Sequence, residues 1–385
     1  VACEIAPQGV VAARSELATA PLAAVAKAVL AEGAVAPGLR PGNVVDRVAV
    51  IAAIRSVMEQ IDAKPNSREA DLTLVIPDAA VRVLLLDFDS LPGRLAEALP
   101  IVKFRLKKLL PFDADDAMVS YQVMSSSRSV VRVLAVAIPQ DVLAEYESVA
   151  REAGFEPGSV LPSTLASLAA VEGDDAALLV NANELGVTTA IVRSGVLLLH
   201  RSVDLQQHAA VTAVVPMVPL ASLPLVDVEE TAGEWAAQEA LPEHGRNPYA
   251  DTLADEAAVQ GFDGATALAE PVVYAPAAGA ARGAGAARGA GADLAPTGLS
   301  SEVAQAVSVA AAYFEDTLAS APQLVLSAGP LGADGLGRIL REQGVGPEDG
   351  LRVQELVETG ALLSEAATAA VPRAWLGSVL GALRG

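Results

Sequence analysis

The chain has 385 residues, a formal net charge of −21 at pH 7 and a single cysteine. That length can bury two domain cores, and the acidity excludes nucleic acid as a partner, because a phosphate backbone needs a basic footprint. Cys3 alone excludes internal disulfides and multi-cysteine metal sites, fits a reducing compartment, and reads as a small buried hydrophobe.

Val1–Glu4 is already strand-like with no basic region before it, so no signal peptide is read; the chain does not begin with Met, and a short upstream piece is expected. Strands are expected at Val1–Ile5 and Gly9–Arg14, then an undefined stretch over Ala23–Val35. Asp46 caps a helix running to Ile61, with Val50, Ile54, Val57, Met58 and Ile61 as its buried stripe. Leu72–Ile76 is a near-continuous apolar strand, as in a sheet covered on both faces.

Next comes a β-α-β-β-α-β order, the pattern of a split βαβ subdomain. Arg82–Phe88 is its first strand. Leu95, Leu99, Val102, Leu106 and Leu109 recur at helical spacing up to Pro111, with an expected kink at Pro100. Strands follow at Val119–Val123 and Val131–Ile138, and Pro139 opens a second helix closed by Gly154. Further strands fall at Ala177–Val180, Thr188–Val192 and Val196–Val203, the last two joined by a Ser194-Gly195 turn. A helix over Glu302–Leu318, a strand at Leu324–Ser327, a glycine turn and a helix near Leu336–Glu342 complete the pattern. Two halves of similar order suggest a duplicated ribonuclease-H-like α/β design.

Between Asp204 and Asp227 the chain is uncharged, but its prolines and polar groups argue against a spanning helix, so a soluble protein with an apolar, surface-associated segment is expected. Asp227–Glu270 holds eleven acids and one arginine, and Ala275–Asp293 is Ala/Gly-rich, as in a linker. His200, His208 and His244 lack metal spacing. No phosphate-binding P-loop, nucleophile elbow or dinucleotide glycine motif occurs, and paired acids such as Asp115-Asp116 read as solvated loops. One cluster runs against the acidic trend: Lys103, Arg105, Lys107 and Lys108 form a patch suited to anionic lipid or an acidic partner segment, or a solvated helix face.

Val75-Ile-Pro-Asp78, the Val81–Asp89 strand, Leu91-Pro92, Lys107-Lys-Leu-Leu-Pro-Phe-Asp113, Tyr121-Gln-Val123, Ala153-Gly-Phe-Glu-Pro157 and Leu380–Gly385 follow in a characteristic order and spacing. Together these motifs resemble the PilM family of type IV pilus assembly proteins. The resemblance spans about Val1–Val203 and Ser300–Gly385. It implies an actin-like, FtsA-related α/β fold of two subdomains with an inserted β-α-β-β-α-β subdomain. The expected division is 1–80 with 163–176, then the insertion 81–162, then 177–205 with 299–385, with 206–298 an acidic and Ala/Gly-rich insertion. It further implies a cytoplasmic protein peripheral to the inner membrane, which binds the N-terminal cytoplasmic peptide of a PilN-like bitopic protein. Other platform and motor components would be further partners, with the membrane surface met indirectly.

An actin-like ATPase needs an acid and glycines after the first strand, so that amides cradle phosphate and a carboxylate orients Mg²⁺ and water. Here Glu4-Ile-Ala-Pro-Gln-Gly9 keeps a longer-armed acid and Gly9, while Ala6 replaces a glycine and Pro7 removes a donor. The second loop carries Asn181 where the resemblance implies Asp, followed by Gly186 and Thr188. The adenosine-side run is reduced to Ser327-Ala-Gly329-Pro330. The expectation is a pseudo-ATPase scaffold that needs no cofactor. A nucleotide-gated switch using ATP and Mg²⁺, or a GspL-like component of type II secretion, is the alternative.

Overall fold

Ala2–Ala6 (β1) is buried on both faces, and it becomes the central strand of a five-stranded sheet. The structure is a computed structural model that describes residues 1–64, 72–205, 297–346, 351–363 and 370–385. Gly9–Arg14 (β2) and Ala24–Val29 (β3) continue antiparallel from β1, while Leu72–Ile76 (β4) lies parallel on its other side. Arg47–Gln60 (α1) joins β3 to β4, and the Asp46 carboxylate accepts from the Ala49 amide at 2.9 Å, the expected cap.

The plan repeats. Ala177–Ala182 (β9), Gly186–Arg193 (β10) and Val196–Asp204 (β11) form the expected antiparallel meander, turning at Ser194 and Gly195, both with positive φ. Thr297–Leu318 (α5) leads to Leu324–Ala328 (β12), which is parallel to β9, and Arg352–Glu355 (β13) adds parallel to β12. Strand order in the second sheet is β11-β10-β9-β12-β13, which matches β3-β2-β1-β4 followed by the edge strand Pro157–Pro162 (β8) in the first.

This duplication fixes where the insertion ends. Strand β8 pairs with β4 at the edge of the first sheet. Gln140–Ala153 (α3) buries Val142, Tyr146 and Val149 in the same core as Cys3, Ile54 and Leu74. In the repeat, α3 is the counterpart of Gly332–Glu342 (α6), and β8 is the counterpart of β13. The expected insertion 81–162 is therefore corrected. Its six elements occur in order, but only Arg82–Phe88 (β5), Leu95–Leu106 (α2), Ala117–Ser126 (β6) and Val131–Pro139 (β7) form the added module. They make a three-stranded sheet, β5-β7-β6, with its own core beneath α2. The helix runs on through Pro100.

Two short helices close the halves, Ser163–Leu168 (α4) after β8 and Gly377–Arg384 (α7) after β13. They pack together in a shared middle layer, with Ala2, Val11 and Val75 from one sheet and Leu179 and Ala190 from the other. The proposed 206–298 insertion lies outside the described residues, apart from Thr297 and Gly298 at the start of α5.

Candidate functional site

Strand alternation decides what faces the middle layer. Along β1, Cys3 and Ile5 enter the outer core, so Ala2, Glu4 and Ala6 point inward. Along β9, Leu178 and Val180 point outward, so Leu179 and Asn181 share the inward face. Glu4 pairs with Val11 and Val75, and Asn181 pairs with Thr188 and Ala328, which are equivalent registers in the two sheets. Each strand thus sends one polar side chain into an apolar layer.

Helix starts satisfy them. Ser163 Oγ donates to Glu4 Oε1 at 2.7 Å, and Ser378 Oγ donates to Glu4 Oε2 at 2.5 Å. Asn181 Nδ2 donates to Ser163 Oγ at 3.0 Å, to Thr164 Oγ1 at 3.0 Å and to Asp78 Oδ2 at 3.3 Å. Asp78, just after β4, accepts from the Thr164 amide at 3.0 Å and from its hydroxyl at 2.5 Å. Six side chains form one latch across both halves.

Burial pushes the Glu4 carboxyl pKa up. The hydroxyls of Ser378 and Ser163 oppose that rise, and neighbouring Asp78 adds to it. Cys3 behaves as the sequence suggested, a free thiol pushed up to about 12 by burial. The His200 Nε2 atom is buried with no hydrogen-bond partner among the described residues. Burial lowers the pKa of that imidazole, and Asp78 acts in the opposite direction.

Above the latch opens a cleft of about 1320 Å³ lined from both halves, including Glu4, Asp78, Asn181, Thr188, His200 and Trp375. One wall is the Ala36–Gly42 loop, which α3 holds in place: Glu145 accepts from the Gly42 and Asn43 amides at 2.5 and 2.7 Å, and buried Tyr146 donates to Asn43 Oδ1 at 3.2 Å. In the β9–β10 turn, Asn183 Oδ1 accepts from the Leu185 and Gly186 amides at 2.8 and 3.0 Å, so these donors are already engaged. Packing excludes a side chain at Gly9, where a Cβ would lie 2.5 Å from the Ala28 carbonyl, and leaves little room at Gly186, where one would lie 3.1 Å from that of Val203. Gly329, at φ +109°, leaves its side-chain space to Asn181 Oδ1 and the Ala182 backbone. Thr188 Oγ1 bonds Ser202 Oγ at 2.9 Å.

A chain of the PilM-PilN type IV pilus biogenesis complex superposes with a TM-score of 0.59 at 14% identity, covering 99% of this chain and 96% of that one. The fold is actin-like. Two further solved structures align more loosely. The cytoplasmic domain of EpsL, an inner-membrane component of the Vibrio cholerae type II secretion system, gives 0.34 at 13% identity over 55% of this chain and 74% of its own. The ethanolamine utilization protein EutJ from Carboxydothermus hydrogenoformans gives 0.39 at 11% identity, over 100% and 89%. No protein-family model and no curated sequence matches.

Within the actin-like cleft, the residues fit a magnesium nucleotide poorly. Both oxygens of Glu4 accept hydroxyls, Asn181 offers an amide where a metal-facing acid would stand, Pro7 has no N–H, and the Leu185 and Gly186 donors are engaged. Among the described residues, no cluster of three or more His, Cys, Asp or Glu is placed to hold a metal ion. Glu4, Asn181, Gly186, Thr188 and Gly329 meet around the cleft, whereas Gly9 lies under β3 outside its lining. Sequence reasoning quoted Asp78 in a motif without assigning it to the site, and it missed Ser163, Thr164 and Ser378. These three hydroxyls stand in the first turns of two short helices that the sequence pattern does not announce.

The basic patch stands apart, on the last turn of α2 and the turn after it, and divides in two. Lys103 Nζ donates to the Ala117 carbonyl at 3.3 Å and Lys107 pairs with Asp115 at 2.6 Å, both within the insertion, while Arg105 and Lys108 are exposed. Among the described residues, no helix is long and apolar enough to cross a membrane.

Proposed function

We propose that this chain is a cytoplasmic scaffold of a type IV pilus assembly platform, held at the inner membrane by the N-terminal cytoplasmic peptide of a PilN-like protein and working without ATP hydrolysis. The full-length match in fold to a chain of the PilM-PilN complex carries this reading. The latch supports the second part, because a nucleotide-gated switch would need Glu4 and Asn181 to leave partners that satisfy them. Other pilus platform and motor components would meet the chain through the same assembly.

A second groove is the natural seat for an extended peptide. It runs between the insertion and the first sheet, with a volume of about 270 Å³, and is lined by Met118, Val136, Ile138, Leu143 and Val160 among others. β6 and β8, at its two sides, are both edge strands, whose free backbone groups accept an added strand while apolar pockets select side chains. Calorimetric titration of the full chain with the PilN-like N-terminal peptide should give saturable binding. Met118→Glu, at a side chain 52% exposed, should weaken it about tenfold without unfolding the protein. No binding by the unmodified chain would overturn the proposal.

A further inference from the structure

Helix α2 carries two apolar faces where a surface helix of a small module needs one. Ala98, Val102 and Leu106 recur at four-residue spacing and are fully buried on the three-stranded sheet. On the opposite side Ile101 and Phe104 are 40% and 69% exposed. Arg105 flanks Phe104 on the helix, and exposed Lys108 lies in the turn that follows it. Leu109, just past the helix, is also exposed. Between Arg94 and Leu109 there are five cations and one acid, in a chain whose net charge is −21.

We propose that this outward face of α2 contacts an anionic lipid surface directly. This goes beyond the partner-mediated tether proposed above. An apolar stripe flanked by cations suits the boundary between headgroups and acyl chains, where the side chains leave water and the charges remain among phosphates. The surface is a helix flank: neither large cavity is lined by Ile101, Phe104, Arg105 or Lys108. A peptide or protein anchor seeks a groove, whereas a bilayer needs none. Charge complementarity also points to lipid, since a chain of net charge −21 is repelled as a whole by an anionic membrane, whereas this face carries a local excess of cations that would be drawn to it. Lys103 and Lys107, engaged within the module, hold the helix end, and Arg105 and Lys108 make the contact.

The test is flotation of the purified full chain with vesicles of phosphatidylethanolamine and phosphatidylglycerol, and with phosphatidylcholine alone. The chain should float with the first set, not the second, and less as salt rises. The pair Ile101→Ser with Phe104→Ser, and separately the pair Arg105→Glu with Lys108→Glu, should each lower binding at least about tenfold. Val48→Ser, at an apolar side chain on α1 more exposed than either, should leave it unchanged. The two pairs are independent, so if one fails to fold, by its thermal midpoint, the other decides. Failure to float with anionic vesicles, equal binding to phosphatidylcholine, or full binding by a folded α2 variant would each overturn the proposal; capture of an acidic protein with no vesicle binding would assign the face to protein instead. The vesicles contain no protein and the peptide titration no lipid, so the two proposals fail separately.

Discussion

Glu4 shows how a residue type that elsewhere handles a metal becomes part of the framework. It is 9% exposed, sits in an apolar layer, and has each carboxyl oxygen matched to one hydroxyl. Its pKa in the folded chain is raised, chiefly by burial. Below the ordinary value of 4.5 the group is protonated whether the chain is folded or not, so its contribution is fully present. As pH climbs from there through the raised folded value, the unfolded chain sheds the proton first, and that stability is lost. Glu4→Gln keeps the shape, one acceptor and a donor, and has no proton to release. Its thermal midpoint should equal that of the unmodified chain at pH 4 and stand level with or above it at pH 8, with a flatter profile between. A midpoint several degrees lower at pH 8 would mean that the ionised carboxylate holds the latch.

Among the elements, α4 and α7 decide the geometry of the site, because Ser163 and Ser378 stand in their first turns. They approach so closely that a Cβ on Gly381 would run into the Ala166 carbonyl. Backbone cannot step aside as a side chain would, so Gly381→Ala should destabilise the protein by about 3 kcal/mol in denaturant unfolding and leave the α2 module's own core intact. Neither helix was legible as such in the sequence. Both are short, rich in Ala, Gly or Ser, and surrounded on several sides, so they lack the one-sided periodicity that betrays an amphipathic helix. β3 was missed for a related reason, since Ala-Val-Ala-Lys-Ala-Val has little intrinsic strand preference and earns its place by pairing with β2. By contrast β1, α1, the β9–β10–β11 meander and α5 were visible from runs, caps and turns. The order β-α-β-β-α-β was also visible, but pattern along a chain does not say which sheet a strand joins. Only the repeat, with α3 matching α6 and β8 matching β13, returns them to the first sheet.

At the scale of the whole molecule, the two repeats are tied at several points as well as the latch. Lys27 of the first sheet lies 3.5 Å from the ring centroid of Trp375, and burial lowers its pKa. The Leu22 amide donates to the Ala361 carbonyl at 2.8 Å, and Leu22 bridges Leu362. A nucleotide-driven hinge would have to strain these ties together, with binding energy from a cleft whose phosphate-side donors are already engaged. A ligand at a hundred times its Kd adds about 2.7 kcal/mol to stability, which moves the midpoint of a chain this size by several degrees. Mg-ATP should therefore shift the midpoint by less than about 1 °C, while the PilN-like peptide should raise it by that larger amount. Restoring the acid with Asn181→Asp should not rescue nucleotide binding. It removes three donated bonds and sets a carboxylate against Asp78, so it should lower the midpoint increasingly as pH rises. A clear Mg-ATP shift in the unmodified chain, or one created by Asn181→Asp, would show that the latch opens for nucleotide and that assembly is gated by it.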